Sequence, residues 1–215
     1  MRDFPLAKEG LPLVVPALVL ALLFFFFALY APSVIFFLLF LFFSYFFRNP
    51  KRTGQSAALE LIAPADGKIT GIDEVHLEEF LDRPALRIST FMGLGDVHVN
   101  RAPCDGLVSR IKHESGKFEL AFRKDVEKIN ERNYILLEKG DEKLVVVQIA
   151  GFLARRICCW VHERDTLRKG DRIGIIAFGS RVDLYIPPGY ESMVQLGQRV
   201  KAGLTPLARK VSIRS

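Results

Sequence analysis

The sequence predicts an α+β protein: a mainly antiparallel β domain, barrel- or sandwich-like, behind an N-terminal transmembrane or re-entrant helical hairpin. Three observations carry this. Between Glu9 and Arg48 there is no charged residue, and twelve of the chain's 18 Phe lie before Arg48. From about Lys51 onward, short alternating segments are separated by Gly, Pro and Asp turns, the pattern of half-buried strands. One soluble stretch, Phe118 to Glu131, carries helical spacing instead, with Phe118, Phe122, Val126 and Ile129 on one face.

The uncharged run is too long for a core helix of a soluble domain. A cleavable signal peptide is the alternative, but the run exceeds the apolar region of such a peptide and no small-residue cleavage site follows it. It divides at Ala31-Pro32-Ser33, giving one helix over about 11–30, strained by Pro16, and a second over about 33–47. At 1.5 Å per residue the second covers only about 22 Å. Tilt, thinning or flanking residues must make up the rest of a hydrocarbon core of roughly 30 Å. Arg2 and Lys8 precede the run; Arg48, Lys51 and Arg52 follow it. Positive-inside bias puts both ends in the cytoplasm, which a hairpin satisfies and a single crossing does not. Residues 1–50 are therefore read as an anchor in the cell (inner) membrane, and 51–215 as a domain on its cytoplasmic side.

Within that domain, strands are expected at Leu61–Ala63, Lys68–Ile72, Ala85–Phe91, Leu107–Ile111, Tyr134–Leu137, Leu144–Ile149, Ile157–Val161, Ile173–Phe178 and Val182–Ile186. Pro64-Ala65-Asp66-Gly67 reads as a tight turn between the first two. Evenly spaced short strands with one helix give the compact antiparallel domain.

The net charge of +6 comes from basic residues scattered along the domain, with no nucleic-acid-binding motif and no aromatic-plus-Arg stacking pattern. Anionic lipid is the simpler partner. The three Cys, Cys104, Cys158 and Cys159, make a poor disulfide framework and no CxxC pair for zinc. Beside Ile157 and Trp160, the adjacent pair is expected to be buried, in a reducing compartment. The four His (His76, His98, His113 and His162) have no metal-ligand spacing, so no metal site is expected. GxSxG, P-loop and GxGxxG motifs are missing as well.

Four stretches change this picture when taken together. They are Ala63-Pro64-Ala65-Asp66-Gly67; Asp96-Val97-His98-Val99-Asn100-Arg101-Ala102-Pro103; Gly116-Lys117-Phe118 with Asn130-Glu131-Arg132-Asn133; and Phe178-Gly179-Ser180. In this order, behind an apolar leader ending Phe46-Phe47-Arg48-Asn49-Pro50, the chain resembles the short bacterial branch of the phosphatidylserine decarboxylase family over essentially its whole length.

The resemblance implies a membrane-anchored enzyme that cuts itself between Gly179 and Ser180, leaving a β chain (1–179) and an α chain (180–215) as a heterodimer. Ser180 would become a pyruvoyl group, the only cofactor implied. Its ketone would form a Schiff base with the serine amine of phosphatidylserine, take up the electrons left by departing CO2, and yield phosphatidylethanolamine. Ser180 needs a base to become nucleophilic, and the family pattern carries Asp66 and His98 into that arrangement. Gly179 suits attack on its carbonyl, having no Cβ to block the approach.

The chain departs from the long branch of the family, which has two His three positions apart in the second motif. Here only His98 is kept and Arg101 stands in the other place. One imidazole then serves both reactions, or His113 takes one of them. Arg101 offers a bidentate donor for a lipid phosphate or carboxylate; an ion pair with Asp96 is its other reading. Partners implied are the membrane phospholipid and the two cleaved chains, with no nucleic acid; a further homo-oligomer is left open. Two rival readings are a non-catalytic, membrane-tethered lipoyl-like β module and the same chemistry on another serine-headed phospholipid.

Overall fold

A computed structural model of the chain describes residues 4–52, 57–116, 130–151, 156–177 and 180–211. It divides into two units, Met1–Lys51 and Arg52–Ser215. The first is a pair of packed helices, α1 (Leu11–Phe26), preceded by a 3-10 turn at Lys8–Gly10, and α2 (Tyr30–Phe46). Lys8–Phe26 is long and apolar enough to cross a membrane; Tyr30–Phe46 is apolar but shorter.

The break between the helices comes one turn earlier than the sequence suggested. Ala28 takes a left-handed φ of 58°, its N–H bonds Phe25 O, and the N–H of Leu29 reaches back to Phe24 O at 2.8 Å. This pair of bonds closes a helix C-terminus. Pro32 instead falls in the first turn of α2, where its missing N–H costs no helical bond. Small residues bring the helices together: Val14, Ala17 and Ala21 are buried, and Ser33 Oγ donates across the interface to Ala21 O at 2.8 Å. The two ends of the unit are tied, Ala7 N–H to Phe47 O at 2.8 Å and Asn49 N–H to Pro5 O at 2.7 Å. Both ends therefore leave the hairpin on the same side.

The second unit holds fourteen strands among the described residues. They are β1 (Glu60–Ile62), β2 (Gly67–Val75), β3 (Ala85–Met92), β4 (Val99–Arg101), β5 (Gly106–Glu114), β6 (Arg132–Lys139), β7 (Glu142–Ile149), β8 (Ile157–Cys159), β9 (Thr166–Leu167), β10 (Arg172–Ile176), β11 (Ser180–Ile186), β12 (Tyr190–Ser192), β13 (Arg199–Val200) and β14 (Pro206–Lys210). The main sheet has the order β13-β2-β3-β11-β7-β6-β5-β9; two three-stranded sheets, β4-β10-β8 and β1-β14-β12, accompany it. All the pairings are antiparallel. Every expected strand is present, several of them longer at one end. The helix expected over Phe118–Glu131 lies outside the described residues, apart from its last two positions.

Alternation sets the two faces of the main sheet. Ile88 and Met92 of β3, Val182, Leu184 and Ile186 of β11, Leu144 and Val146 of β7, and Ile135 and Leu137 of β6 share one core. Residues of opposite parity, including Tyr134, Val145, Val147, Ile149 and Tyr185, make a second cluster with Phe80 and Leu81. Gly67 lets β2 open against β3. Its φ is 148°, and a Cβ there would stand 2.0 Å from Phe91 O, a place only glycine can occupy.

Cys104 is fully buried, while Cys158 and Cys159 are half-buried on β8. Burial pushes the Cys104 thiol up to about 11. A folded value above the unfolded one means the neutral thiol contributes stability below pH 9, lost as pH rises toward 11. Over that window it amounts to about 2–3 kcal/mol. The thermal midpoint of the uncut chain is expected to fall from pH 9 to 11, and Cys104→Ala to flatten part of that slope. Tyr190, raised by burial and by its bond to Glu142, and Cys159 and Tyr134, raised by burial, act in the same direction. An unchanged slope in Cys104→Ala would remove the thiol from this account.

Candidate active site

Ser180 opens β11 and is completely buried. Its register partner on β3 is Met92, and its hydroxyl donates to Met92 Sδ at 3.4 Å. By strand parity it faces the same core as Val182 and Leu184. Gly179, the other half of the expected cleavage site, lies outside the described residues, as does Phe178.

His98 is also completely buried, immediately before β4. Its carbonyl accepts from Ile176 N–H at 3.4 Å, and Val99 pairs with Ile175. The β4–β10 pairing thus seats His98 opposite the end of β10, the strand that leads into Ser180. Its Nδ1 lies 3.0 Å from Asp96 O. A carbonyl can only accept, so Nδ1 is the donor, and in the neutral ring Nε2 is the nitrogen with the lone pair.

Asp66 does not hold this imidazole. Its carboxylate forms a two-pronged ion pair with Arg52, one arm being Arg52 Nη2 to Oδ2 at 2.8 Å, and Oδ1 accepts Ala202 N–H at 2.7 Å. The expected carboxylate–imidazole pairing is therefore replaced by a carboxylate–guanidinium pair, and the orienting of His98 falls to a backbone carbonyl. Arg52 was not foreseen, because it stands at the start of the linker with no motif around it.

Arg101 does not pair with Asp96 either. Asp96 accepts from Gly93 N–H at 2.8 Å and pairs with Arg199 at 2.9 Å. Arg101 is almost fully buried and donates through Nη1 to Gly170 O at 2.8 Å. Burial first, then the charges of Arg172 and Arg52, push its guanidinium down to about 10, against the opposing pull of Asp66 and Asp171. It remains a cation at neutral pH, with Arg52 and Arg172 and the carboxylates of Asp66 and Asp171 around it. Gly203 makes the room: a Cβ there would stand 2.8 Å from Arg101 Cδ.

His113 is not gathered with the others. It lies half exposed on β5, 3.4 Å from Glu131, and β6 and β7 stand between its strand and β11.

A chain of buried amides, which sequence reasoning missed, ends at the serine. Asn133 Nδ2 donates to Gln148 Oε1 at 3.0 Å, Gln148 Nε2 to Asn100 Oδ1 at 2.8 Å, and Asn100 Nδ2 to Met92 Sδ at 3.7 Å. Asn133 and Gln148 lie opposite each other on β6 and β7, and Gln148 lies opposite Val182. Asn100 reaches them from β4, across Gly174 of β10. A Cβ at Gly174 would come within 3.0 Å of Gln148 Nε2 and 2.5 Å of Cys158 O. The signal was available in principle: a two-residue period puts Gln148 and Asn133 on the core face, where a polar residue needs a partner. Among the described residues no cluster of His, Cys, Asp and Glu could hold a metal ion.

Comparison with known proteins decides the frame in which these residues are read. A family model for phosphatidylserine decarboxylase matches residues 39–208. The chain belongs to the phosphatidylserine decarboxylase family. Curated proteins named phosphatidylserine decarboxylase proenzyme are similar along most of its length. One from Syntrophus aciditrophicus is 40% identical over 208 residues, 96% of this chain and 98% of that protein. One from Carboxydothermus hydrogenoformans is 45% identical over 166 residues, 77% of this chain and 78% of its own. A third, from Paraburkholderia xenovorans, is 41% identical over 204 residues, 94% and 96% of the two chains. Phosphatidylserine decarboxylases are lyases, so membership of this family sets aside the non-catalytic module.

Proposed function

We propose that this chain is a proenzyme that cuts itself between Gly179 and Ser180 and then decarboxylates phosphatidylserine to phosphatidylethanolamine. The observation that carries this is Ser180 itself. In a chain of this family, a serine hydroxyl stands fully buried at the head of a strand, where it donates to a thioether. Self-cleavage balances within the chain's own atoms and one water. Ser180 Oγ bonds to the Gly179 carbonyl carbon as the C–N bond breaks, and the nitrogen takes the hydroxyl proton. Loss of the Cα proton and of the Cβ–Oγ bond releases Gly179 as a carboxylate that keeps Oγ. Tautomerisation and addition of water then expel ammonia and leave the pyruvoyl group at the head of β11.

The residues present fit that group, because Met92 gives an apolar contact for its methyl. When formed, it supplies a ketone that condenses with an amine and accepts the electron pair released with CO2. His98, whose Nδ1 is engaged by the Asp96 carbonyl so that Nε2 is the nitrogen free to exchange a proton with the substrate, is the proton carrier. Arg101 receives the anionic part of the substrate, phosphate or carboxylate, helped by the surrounding Arg52 and Arg172. Asp66 holds Arg52 in place beside it. The products are a β chain 1–179 and an α chain 180–215, which stay together because β11 is central in the main sheet, between β3 and β7.

Residues 1–50 insert into the membrane as a hairpin whose ends face the cytoplasm. Support comes from the uncharged helices and from the tied ends of the hairpin. Two long acyl chains make extraction of the substrate from the bilayer costly, so the enzyme works on lipid still in the leaflet. The test is intact mass and lipid analysis of the purified chain with phosphatidylserine vesicles. The expected result is two fragments, a carbonyl-reactive Ser180–Ser215 piece, and phosphatidylethanolamine formed. A chain lacking 1–47 is expected to cut itself but to work on vesicles at least about tenfold more slowly. An active preparation that is wholly uncut would overturn the self-processing reading. Protease access to the soluble unit from the outer face of intact spheroplasts would overturn the cytoplasmic placement.

A further inference from the structure

Three amides on a core face otherwise built of Ile, Leu and Val are an expensive way to fill space, since each must find partners inside the protein. Here the donors and acceptors match in one direction only. Asn133 is hydrogen-bonded to Gln148, Gln148 to Asn100 and Asn100 to Met92 Sδ, always as N–H donor to the next group. Turning round either of the two following amides would set two donors or two acceptors against each other. The chain therefore delivers a fixed N–H to a fixed sulfur, and the same sulfur is the acceptor of Ser180 Oγ–H.

A thioether has an unusual property in that place. It accepts hydrogen bonds, though weakly, and it also packs as an apolar group. Self-cleavage changes what faces it, because Oγ leaves with Gly179 and the old Cβ becomes a methyl. A carboxylate, amide or hydroxyl at position 92 would suit the serine and afterwards set a buried polar group against a methyl. An aliphatic side chain would suit the methyl and leave the serine hydroxyl with no acceptor there. Methionine serves both.

From this we infer that Met92 is the positioning residue for Ser180 in both of its chemical states. It orients the hydroxyl before cleavage and packs the pyruvoyl methyl after it, and Asn100, Gln148 and Asn133 hold it in place. The inference rests on the self-processing reading above.

Two substitutions separate the two states. Met92→Leu, close to isosteric, keeps the methyl contact and removes the acceptor. Precursor should disappear about three- to tenfold more slowly, the loss of one modest hydrogen bond, while turnover per matured chain falls by less than it does in Met92→Gln. Met92→Gln does the reverse. Cleavage should stay within about threefold of the unsubstituted rate, while the matured fraction loses at least about tenfold in kcat with KM little changed. Asn100→Leu, which frees the sulfur from its anchor, should follow Met92→Leu. Cleavage is read by intact mass over time, turnover by product formed per cleaved chain, and folding by the thermal midpoint of each variant.

A general weakening of the core would lower both rates in both Met92 variants, in step with the thermal midpoint, and that result overturns the inference. So does Met92→Leu cleaving at the unsubstituted rate. An unsubstituted chain that never cuts itself would instead sink the self-processing reading.

Discussion

Ser180→Ala is expected to remain one polypeptide and to form no phosphatidylethanolamine above the uncatalysed background, while folding like the unsubstituted chain. The separation of chemistry from folding follows from what the hydroxyl touches. Its contact is Met92 Sδ, a weak acceptor that packs equally well against a methyl, so its removal costs at most about 1 kcal/mol. Register, strand and core around it are untouched, since Val182, Leu184 and Ile186 carry the packing of β11. Everything lost is then chemical: without Oγ nothing attacks Gly179, and without cleavage no ketone exists to accept electrons. Ser180→Cys sharpens the test, because a thiol can attack the same carbonyl and be eliminated in the same way. It should cut itself, more slowly, and recover turnover in proportion to the cut fraction. Intact mass and product formation on the same samples check both variants. Product formed by uncut Ser180→Ala would exclude the pyruvoyl route.

The candidate residues Asp66, His98, Arg101 and Ser180 could be named before the fold was known, because their motifs are local features of the chain. What could not be read is how they divide the work. Asp66 in its Ala-Asp-Gly turn looked like the carboxylate that holds an imidazole. In three dimensions the linker residue Arg52 takes it, with Ala202 N–H from 136 residues away, and no local pattern announces a contact of that range. The strands were legible wherever alternation ran for four residues or more. Five strands were not: β4, β9, β12 and β13 have two or three residues and carry no period of their own, and the five residues of β14, Pro206-Leu207-Ala208-Arg209-Lys210, do not alternate. The turn of the hairpin was displaced by one turn of helix for a similar reason. Pro32 was the visible breaker, whereas the actual stop is Ala28 in a left-handed conformation that its sequence does not advertise. Gln148 shows a different limit. Its parity marked it as a polar residue facing the core, but its partners Asn133 and Asn100 come from two other strands.

His98→Ala is expected to lower turnover of the matured enzyme by about 10²- to 10⁴-fold, the usual contribution of a positioned general acid or base. The imidazole is fully buried and held in one tautomer by the Asp96 carbonyl 3.0 Å from Nδ1, so Nε2 is the nitrogen that accepts a proton. Because the orienting group is a backbone carbonyl, Asp96→Ala should leave the tautomer intact; the Asp96 side chain is occupied with Gly93 N–H and Arg199. His98→Asn gives the decisive comparison. Its amide can still donate to Asp96 O and roughly preserve shape, but it has no nitrogen that takes up a proton near neutral pH. A structural histidine would be rescued by asparagine; a proton carrier would not. Following precursor loss and product formation in both variants also divides the two reactions between residues. Slow cleavage together with slow turnover assigns both to the one imidazole. Slow turnover with normal cleavage leaves the first proton transfer to another base. Normal rates in His98→Asn for both steps would take His98 out of the chemistry altogether, leaving it as a packing residue between β4 and β10.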